Sequence, residues 1–147
     1  MQPDERVVLR FQIIRENLTH LRSLAAIPEA EFLPDFRNVE AAKHLLQTAI
    51  EAVMDISVQI LALLKEPLPD HHAELFEALS RHGIVPASRV DTYRKMVGFR
   101  NRVVHLYDRV EDRRVFEILR TDLPDFETFI VEVMTHLGPG ASPSGPG

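Results

Sequence analysis

Four side chains with complementary chemistry lie within eight residues in the second half of the chain: Arg100, Asn101, His105 and Tyr107. An arginine is always charged and can bind a phosphate through two parallel N–H groups. A histidine has the side-chain pKa nearest neutrality, so it can accept a proton and later return it. The amide can orient either group, and the phenol adds a hydrogen-bond donor and a modifiable hydroxyl.

An arginine for charge and a histidine for proton transfer are the minimum set for cleaving RNA without a metal ion. In that reaction a base removes the proton of a 2′-hydroxyl, and the oxygen attacks the adjacent phosphorus. The arginine stabilises the charge that develops, and a 2′,3′-cyclic phosphate results. The competing interpretation is structural: Arg100 pairs with an acid, and His105 caps a helix.

The spacing of the motif places a condition on the structure. On an ideal helix Arg100 and His105 lie about 140° apart and do not meet. Asn101 and His105, four residues apart, share one face, and Arg100 and Tyr107, seven apart, share another. For Arg100 and His105 to act on one substrate, either the helix unwinds near Val104 or a second subunit completes the site.

The segment of residues 89–114 is basic, although the chain as a whole has a net charge of −5. It contains eight Arg or Lys and four Asp or Glu, a net of +4, against −9 for the remainder. The overall charge argues against a surface that coats nucleic acid non-specifically, whereas a local basic segment suits a phosphate-binding site. A solvated basic helix face is the alternative. Arg94, Arg102 and Arg109 are the candidate RNA contacts in this segment.

Five helices are predicted to position the motif, in an all-α up-and-down bundle with four core helices and one short helix. Long segments repeat apolar residues at alternating steps of three and four, which is typical of one buried helix face. Asp4 is the expected cap of the first helix and Asn38 that of the second. Their stripes are Val7, Phe11, Ile14, Leu18, Leu21 and Ala25, and then Ala42, Leu46, Ala49, Val53, Ile56, Ile60 and Leu63. No stretch alternates with a period of two, so no strand is predicted.

Shorter features connect these helices. The connector of residues 29–37 is expected to bury Phe32 and Phe36 as anchors. A short third helix, over about residues 71–81, is expected to end at Gly83 in a left-handed C-cap.

The fourth and fifth helices flank the motif. Ser88 and Asp91 have the spacing of a capping box and predict the start of the fourth helix, which ends in the motif. In the fifth helix Pro124 interrupts the apolar stripe, yet the stripe keeps its phase across Leu123 and Phe126. We therefore expect one kinked helix rather than two.

The bulk composition predicts one soluble domain. With 147 residues, 45% of them hydrophobic and 27% charged, the chain is large enough for one core. That domain is expected to span residues 1–137, and the Gly-, Pro- and Ser-rich residues 138–147 are expected to be disordered. No apolar run approaches the roughly 18 residues of a membrane span, and the first residues lack a signal-peptide pattern. The sequence therefore predicts a cytoplasmic protein.

Neither a metal nor another cofactor is predicted. The chain has no cysteine, so it has neither disulfides nor thiolate metal ligands. His71 and His72 are adjacent, and on a helix they point about 100° apart, which disfavours a shared metal. Asp55 is expected to face solvent. Surface or capping roles are expected for the scattered histidines His20, His44, His82 and His136.

Residues 98–107, Gly-Phe-Arg-Asn-Arg-Val-Val-His-Leu-Tyr, resemble the signature of the HepT-like toxins. These belong to the wider superfamily named for higher eukaryotes and prokaryotes nucleotide-binding (HEPN) domains. Members carry Arg, then four to six residues, then His, usually with a polar residue after the Arg. The HepT branch adds a tyrosine two residues past the His. The likeness extends to residues 46–56, 76–79, 83–86 and 96–100, and it covers roughly residues 4–137.

This resemblance implies a helical bundle that dimerises, so that two motifs line one cleft. It implies a metal-independent endoribonuclease, the toxin of a type II toxin–antitoxin system, with Arg100, Asn101 and His105 as catalytic residues. The implied partner besides RNA is a minimal nucleotidyltransferase antitoxin, which silences the toxin by transferring AMP to Tyr107. The alternative is a non-catalytic nucleotide- or protein-binding subunit of a nucleotidyltransferase complex.

Overall fold

The structure is a computed structural model, and it describes residues 5–105 and 110–137. Within these ranges the chain forms seven α-helices and two short 3₁₀ turns, joined by loops. No strand occurs in these two ranges, so the predicted all-α class is confirmed. In chain order the helices are α1 (Glu5–Ala25), α2 (Glu29–Phe32), α3 (Phe36–Leu63), α4 (Leu75–Arg81), α5 (Val90–Val104), α6 (Asp112–Thr121) and α7 (Pro124–Leu137).

The bundle is built around α3, which packs most extensively on α1 and also contacts α4, α5 and α6. The predicted stripes form this interface. On α1 the buried residues run from Val7 to Leu21, and on α3 they include Ala42, Leu46, Val53 and nearly all of the remaining stripe. Only the two ends of the stripes leave the core, because Ala25 is half-buried and Leu63 is 44% exposed. The buried apolar side chains of all seven helices, including Phe32 of α2, form one continuous core.

Helix α3 is long and apolar enough to cross a membrane, judged by length and composition alone. Within the bundle, however, 56% of its most apolar 18-residue window is buried against the other helices. This burial is the pattern of a core helix that touches several neighbours. The sequence prediction of a central second helix is therefore confirmed.

The connector before α3 differs from its prediction at three points. Residues 29–32 form the short helix α2, and α3 begins at Phe36 rather than after Asn38. The cap is Asp35, whose carboxylate accepts the Arg37 N–H at 3.0 Å, whereas the Asn38 amide donates to the Phe32 carbonyl oxygen. Phe32 is buried as predicted. Phe36 is 73% exposed, because the earlier cap places it on a first turn beyond the end of the core.

The link from α3 to α5 follows the prediction up to Gly83. Residues 72–74 form a 3₁₀ turn, α4 follows, and Gly83 adopts a positive φ of 73°, as the left-handed C-cap requires. The predicted capping box is wrong. Ser88 lies in a 3₁₀ turn, α5 begins at Val90 without a side-chain cap, and Asp91 instead pairs with Lys95 at 3.2 Å.

The predicted fifth helix is two helices, α6 and α7. Pro124 is the first residue of α7, where its missing N–H is not needed by the helix. A tight turn precedes it, in which the Asp125 N–H donates to the Asp122 carbonyl oxygen at 3.0 Å. Because both helices bury their apolar residues in the same phase, the continuous stripe did not reveal the break. The predicted cap Asp4 and the predicted tail of residues 138–147 lie outside the described residues.

Candidate active site

Helix α5 carries the motif and is anchored at its start by a partly buried polar cluster. Tyr93 is fully buried, and its hydroxyl donates to a carboxylate oxygen of Glu132 on α7. Arg89 donates to Asp125 at 3.3 Å, and its guanidinium lies 5.2 Å from the Tyr93 ring centroid. Burial, followed by the hydrogen bond to Glu132, raises the pKa of Tyr93 above its ordinary value. These contacts fix the orientation of α5 against α7.

At the other end of α5, the guanidinium of Arg100 is held by two neighbours. Its Nε and Nη2 both donate to Oε2 of Glu51 on α3, at 3.0 and 2.8 Å. Its Nη1 donates to the side-chain oxygen of Asn101 at 3.1 Å. The Arg100 side chain is 23% exposed and that of Glu51 is 33% exposed. The structure thus brings together two of the predicted site residues and adds an acid.

His105 is the first residue after α5 and is exposed. Its backbone is extended, with φ −92° and ψ 105°, and its N–H still donates to the Asn101 carbonyl oxygen at 2.9 Å. The helix therefore ends at Val104, which is the first of the two alternatives that the spacing of the motif left open. Both features of the structural interpretation are also present, since Arg100 pairs with an acid and His105 occupies the C-cap position.

The remaining predicted site residues are spread over different places. Arg94 lies on the exposed side of α5 and pairs with Glu77 of α4 at 2.7 Å. Arg102 is exposed and has no ion pair or hydrogen bond with any residue in the described ranges. Tyr107 and Arg109 lie outside those ranges.

Arg102 lines a groove of about 660 Å³ formed by α3, α5, α6 and α7. Its lining includes the apolar side chains of Leu46, Ile50, Met96, Phe99, Ile118 and Phe126. Lys95 and Arg114 add positive charge, whereas Asp122 and Asp125 add negative charge. Arg100 and Arg102 lie about 200° apart around a helix, so the groove opens on a different face of α5 from Arg100.

Much of the positive charge of residues 89–114 is paired with acids of other elements. Arg89 pairs with Asp125, Arg94 with Glu77, Arg100 with Glu51 and Arg113 with Glu29. The acidic remainder of the chain therefore compensates the basic segment through contacts that are long-range in sequence. Arg102 has no ion pair with any described residue, which makes it the described arginine best suited to bind an external phosphate.

Glu51 contacts Arg100, and the sequence did not single it out. It lies 49 positions before Arg100, on a helix whose stripe is apolar. The surface positions predicted for Asp55 and His82 are confirmed. Asp55 is exposed and pairs with Arg10 at 3.1 Å, and His82 is exposed and pairs with Glu66. No group of three or more potential metal ligands occurs among the described residues.

Comparison with known proteins identifies relatives over most of the chain. Residues 14–133 match the sequence model of a protein family named HepT-like, whose description is Ribonuclease HepT-like. The chain is 27% identical over 128 residues to the tRNA nuclease HepT of Aphanizomenon flos-aquae, covering 87% of each protein. It is 30% identical over 101 residues to the mRNA nuclease HepT of Shewanella oneidensis, covering 69% of this chain and 76% of that protein.

Solved structures share the fold. A crystal structure of a toxin–antitoxin pair with AMP-PNP contains a chain that superposes with a TM-score of 0.82 at 23% identity, covering 88% of this chain and 98% of that one. The tri-AMPylated Shewanella oneidensis HEPN toxin, in complex with MNT antitoxin, superposes with a TM-score of 0.83 at 24% identity, covering 89% and 98%. At this level of identity the likeness establishes the fold.

Proposed function

This chain belongs to the HepT-like ribonuclease family, and we propose that it is a metal-independent endoribonuclease, the toxin of a type II toxin–antitoxin system. The observation that carries the proposal is the arrangement at the end of α5. A partly exposed guanidinium is held beside an amide, and an exposed histidine follows where the helix ends. That pairing of fixed charge and a titratable group is suited to RNA cleavage.

In the proposed reaction the His105 imidazole removes the proton of a ribose 2′-hydroxyl. The 2′-oxygen then attacks the adjacent phosphorus, and the bond to the 5′-oxygen of the next nucleotide breaks. Arg100 stabilises the negative charge on the phosphoryl oxygens as they approach the transition state. The imidazolium returns its proton to the departing 5′-oxygen, so the products are a 2′,3′-cyclic phosphate and a 5′-hydroxyl. Asn101 holds Arg100 through its side-chain oxygen.

Two subunits are part of the proposal. We propose that a homodimer places two motifs in one cleft, so that the imidazole and the guanidinium meet a common phosphate despite their separation on α5. Light scattering at micromolar concentration is expected to give the mass of a dimer. A monomeric mass at that concentration would contradict a site shared between subunits.

The experiment that tests ribonuclease activity is incubation of the purified, unmodified protein with RNA in EDTA, followed by a gel. The parent protein is expected to cleave, and His105→Ala is expected to lose about 10²- to 10⁴-fold in rate, the usual contribution of a general acid–base. His82→Ala is the matched control, because His82 is also exposed but pairs with Glu66 at 3.0 Å, which is not a motif residue. Equal cleavage by His105→Ala and the parent would refute the mechanism.

We propose that the antitoxin is a minimal nucleotidyltransferase that transfers AMP to Tyr107. This proposal is supported by the solved toxin–antitoxin complexes of the same fold and by the position of Tyr107 two residues after His105. In the transfer, the phenolic oxygen attacks the α-phosphorus of ATP, pyrophosphate leaves, and the phenol loses its proton. The adduct would add a negatively charged phosphodiester two residues after His105 and so oppose the binding of RNA.

Intact-mass analysis after incubation with such a transferase and ATP tests the modification. The chain has two tyrosines, and the other, Tyr93, is fully buried, so AMP is expected only on Tyr107. The Tyr107→Phe variant is expected to gain no mass. A mass increase that survives Tyr107→Phe would contradict the assignment.

The second candidate function is a non-catalytic subunit that binds a nucleotide or a nucleotidyltransferase. The ion pair between Arg100 and Glu51 favours it, because a paired arginine has less charge available for a substrate. This function predicts a tight complex with the transferase and no RNA cleavage by the unmodified protein in EDTA. For either function we propose a cytoplasmic location.

A further inference from the structure

The Arg100 guanidinium is held by an acid from another helix. Glu51 lies on α3, and its Oε2 accepts both Nε and Nη2 of Arg100, at 3.0 and 2.8 Å. We propose that Glu51 is a positioning residue of the active site, which holds Arg100 so that its terminal N–H groups face the scissile phosphate. This inference rests on the proposed ribonuclease function.

The donors of the guanidinium can be counted. An arginine has five N–H groups in one plane. Glu51 engages one on Nε and one on Nη2, and Asn101 engages one on Nη1. Two N–H groups remain that no described residue engages, one on each terminal nitrogen. These two nitrogens form the fork that binds a phosphate through two parallel hydrogen bonds. The carboxylate thus occupies the edge of the guanidinium that contains Nε. Each terminal nitrogen keeps one N–H group for a phosphate.

Burial makes the pair a suitable positioning device. The side chains of Arg100 and Glu51 are only 23% and 33% exposed, so water screens their attraction less than at an open surface. An isolated arginine has many rotamers and would lose that freedom on binding a substrate. Because Glu51 lies on the central helix α3, it orders Arg100 before RNA arrives, as a preorganised site requires.

The opposite role for Glu51 is competition. A carboxylate beside Arg100 also lowers the local positive charge and could keep phosphate away. The geometry favours positioning, since both contacts use one carboxylate oxygen and the edge of Arg100 that includes Nε. The two roles predict opposite signs: removal of Glu51 slows cleavage if it positions Arg100 and accelerates cleavage if it competes.

Asp55 provides a matched control on the same helix. It lies one turn after Glu51, carries the same charge and also forms an ion pair, with Arg10 of α1 at 3.1 Å. It is more exposed, at 54%, and does not contact the motif residues in the described ranges. Asp55→Ala therefore removes a paired acid from α3 without touching Arg100.

The test measures kcat and KM for RNA cleavage in EDTA by full-length variants, with thermal unfolding as a check of folding. Glu51→Ala is expected to lower kcat by about 10- to 100-fold, the usual effect of misplacing a catalytic group by about 1 Å. KM is expected to change much less, and Asp55→Ala is expected to behave like the parent. If Glu51→Ala cleaves as fast as the parent or faster, while the parent is active, the positioning role is overturned and the proposed function stands.

Two conservative variants separate shape from charge and cover the case in which Glu51→Ala does not fold. Glu51→Gln removes the charge but keeps an acceptor oxygen on a side chain of the same length. Glu51→Asp keeps the charge on a side chain that is shorter by one methylene group. Positioning predicts that Glu51→Gln retains more kcat than Glu51→Asp, and the reverse order would overturn it. If the parent itself cleaves no RNA, the proposed function fails and this role fails with it.

Discussion

The two ends of α5 carry similar residues in different environments. At the start, Arg89 and Tyr93 meet Glu132 and Asp125 of α7, and the Tyr93 hydroxyl is fully buried. At the end, Arg100 meets an acid of α3, Glu51, and an exposed histidine follows where the helix ends. An arginine paired with an acid therefore attaches the helix to α7 in one place and lies in the candidate site in the other. The two arginines are similarly exposed, at 26% and 23%, and the neighbouring groups distinguish the ends: Tyr93 is fully buried, whereas His105 is exposed.

The largest expected effects separate the two arginines. Arg100→Ala is expected to reduce cleavage by about 10²- to 10³-fold, because it removes donors to the charge that develops in the transition state. Arg89→Ala is expected to leave cleavage by the folded protein intact. It should instead lower the free energy of unfolding by about 1–3 kcal/mol, since two partly buried acids lose their partner. Initial rates and urea unfolding of both variants measure these effects. Equal loss of activity in the two variants would remove the distinction between the two ends.

A smaller effect concerns Tyr93 and depends on pH. Tyr93→Phe leaves Glu132 without its hydrogen bond and is expected to cost about 1–2 kcal/mol near neutral pH. The folded protein raises the pKa of Tyr93 above its ordinary value of 10.0, so the stabilisation by the neutral phenol is complete below pH 10. As the pH rises further, the unfolded chain ionises at Tyr93 first, and this stabilisation is lost.

The stability difference between the parent and Tyr93→Phe should therefore shrink between about pH 10 and pH 11. Urea unfolding of both proteins across that range measures it, and the other tyrosine is common to both. A difference that stays constant or grows would contradict the burial and hydrogen bonding assigned to Tyr93.

The smallest effect concerns two further arginines of α5, Arg94 and Arg102. Arg102 has no ion pair in the described ranges, whereas Arg94 pairs with Glu77 at 2.7 Å. Arg102→Ala is expected to reduce the slope of log affinity against log salt by about 0.7, the value of one phosphate contact with a single strand. Arg94→Ala should change it less. Anisotropy titrations of single-stranded RNA, in a His105→Ala background that prevents cleavage, measure both slopes. A larger change for Arg94→Ala would reverse this ranking of the two residues.

Much of the fold could be predicted because the long helices bury one periodic face. The stripes of α1 and α3 specified their elements and their contact without information from distant residues. The errors occurred where several local residues compete for one role. Asp35 took the cap expected at Asn38, and Pro124 began a helix where a kink was expected. Sequence spacing alone does not decide between such neighbours, since the packing of the adjoining segments selects one.

The candidate site could be predicted only in part. Arg100, Asn101 and His105 are close in sequence, so their spacing predicted either an end of the helix near Val104 or a second subunit that completes the site, and α5 does end at Val104. Glu51 could not be found in this way, because an ion pair across 49 residues depends on how α3 packs against α5. The roles of these residues in cleavage stay predictions.

The most direct test of the central claim is the chemistry of the ends that cleavage leaves on RNA. If His105 and Arg100 drive attack by the 2′-oxygen, the upstream fragment carries a 2′,3′-cyclic phosphate and the downstream fragment a 5′-hydroxyl. Mass spectrometry of the fragments made by the unmodified protein in EDTA is expected to show this pair of ends, and His105→Ala is expected to produce neither. Fragments with a 3′-hydroxyl and a 5′-phosphate would contradict the mechanism, because water and not the 2′-oxygen would then have attacked.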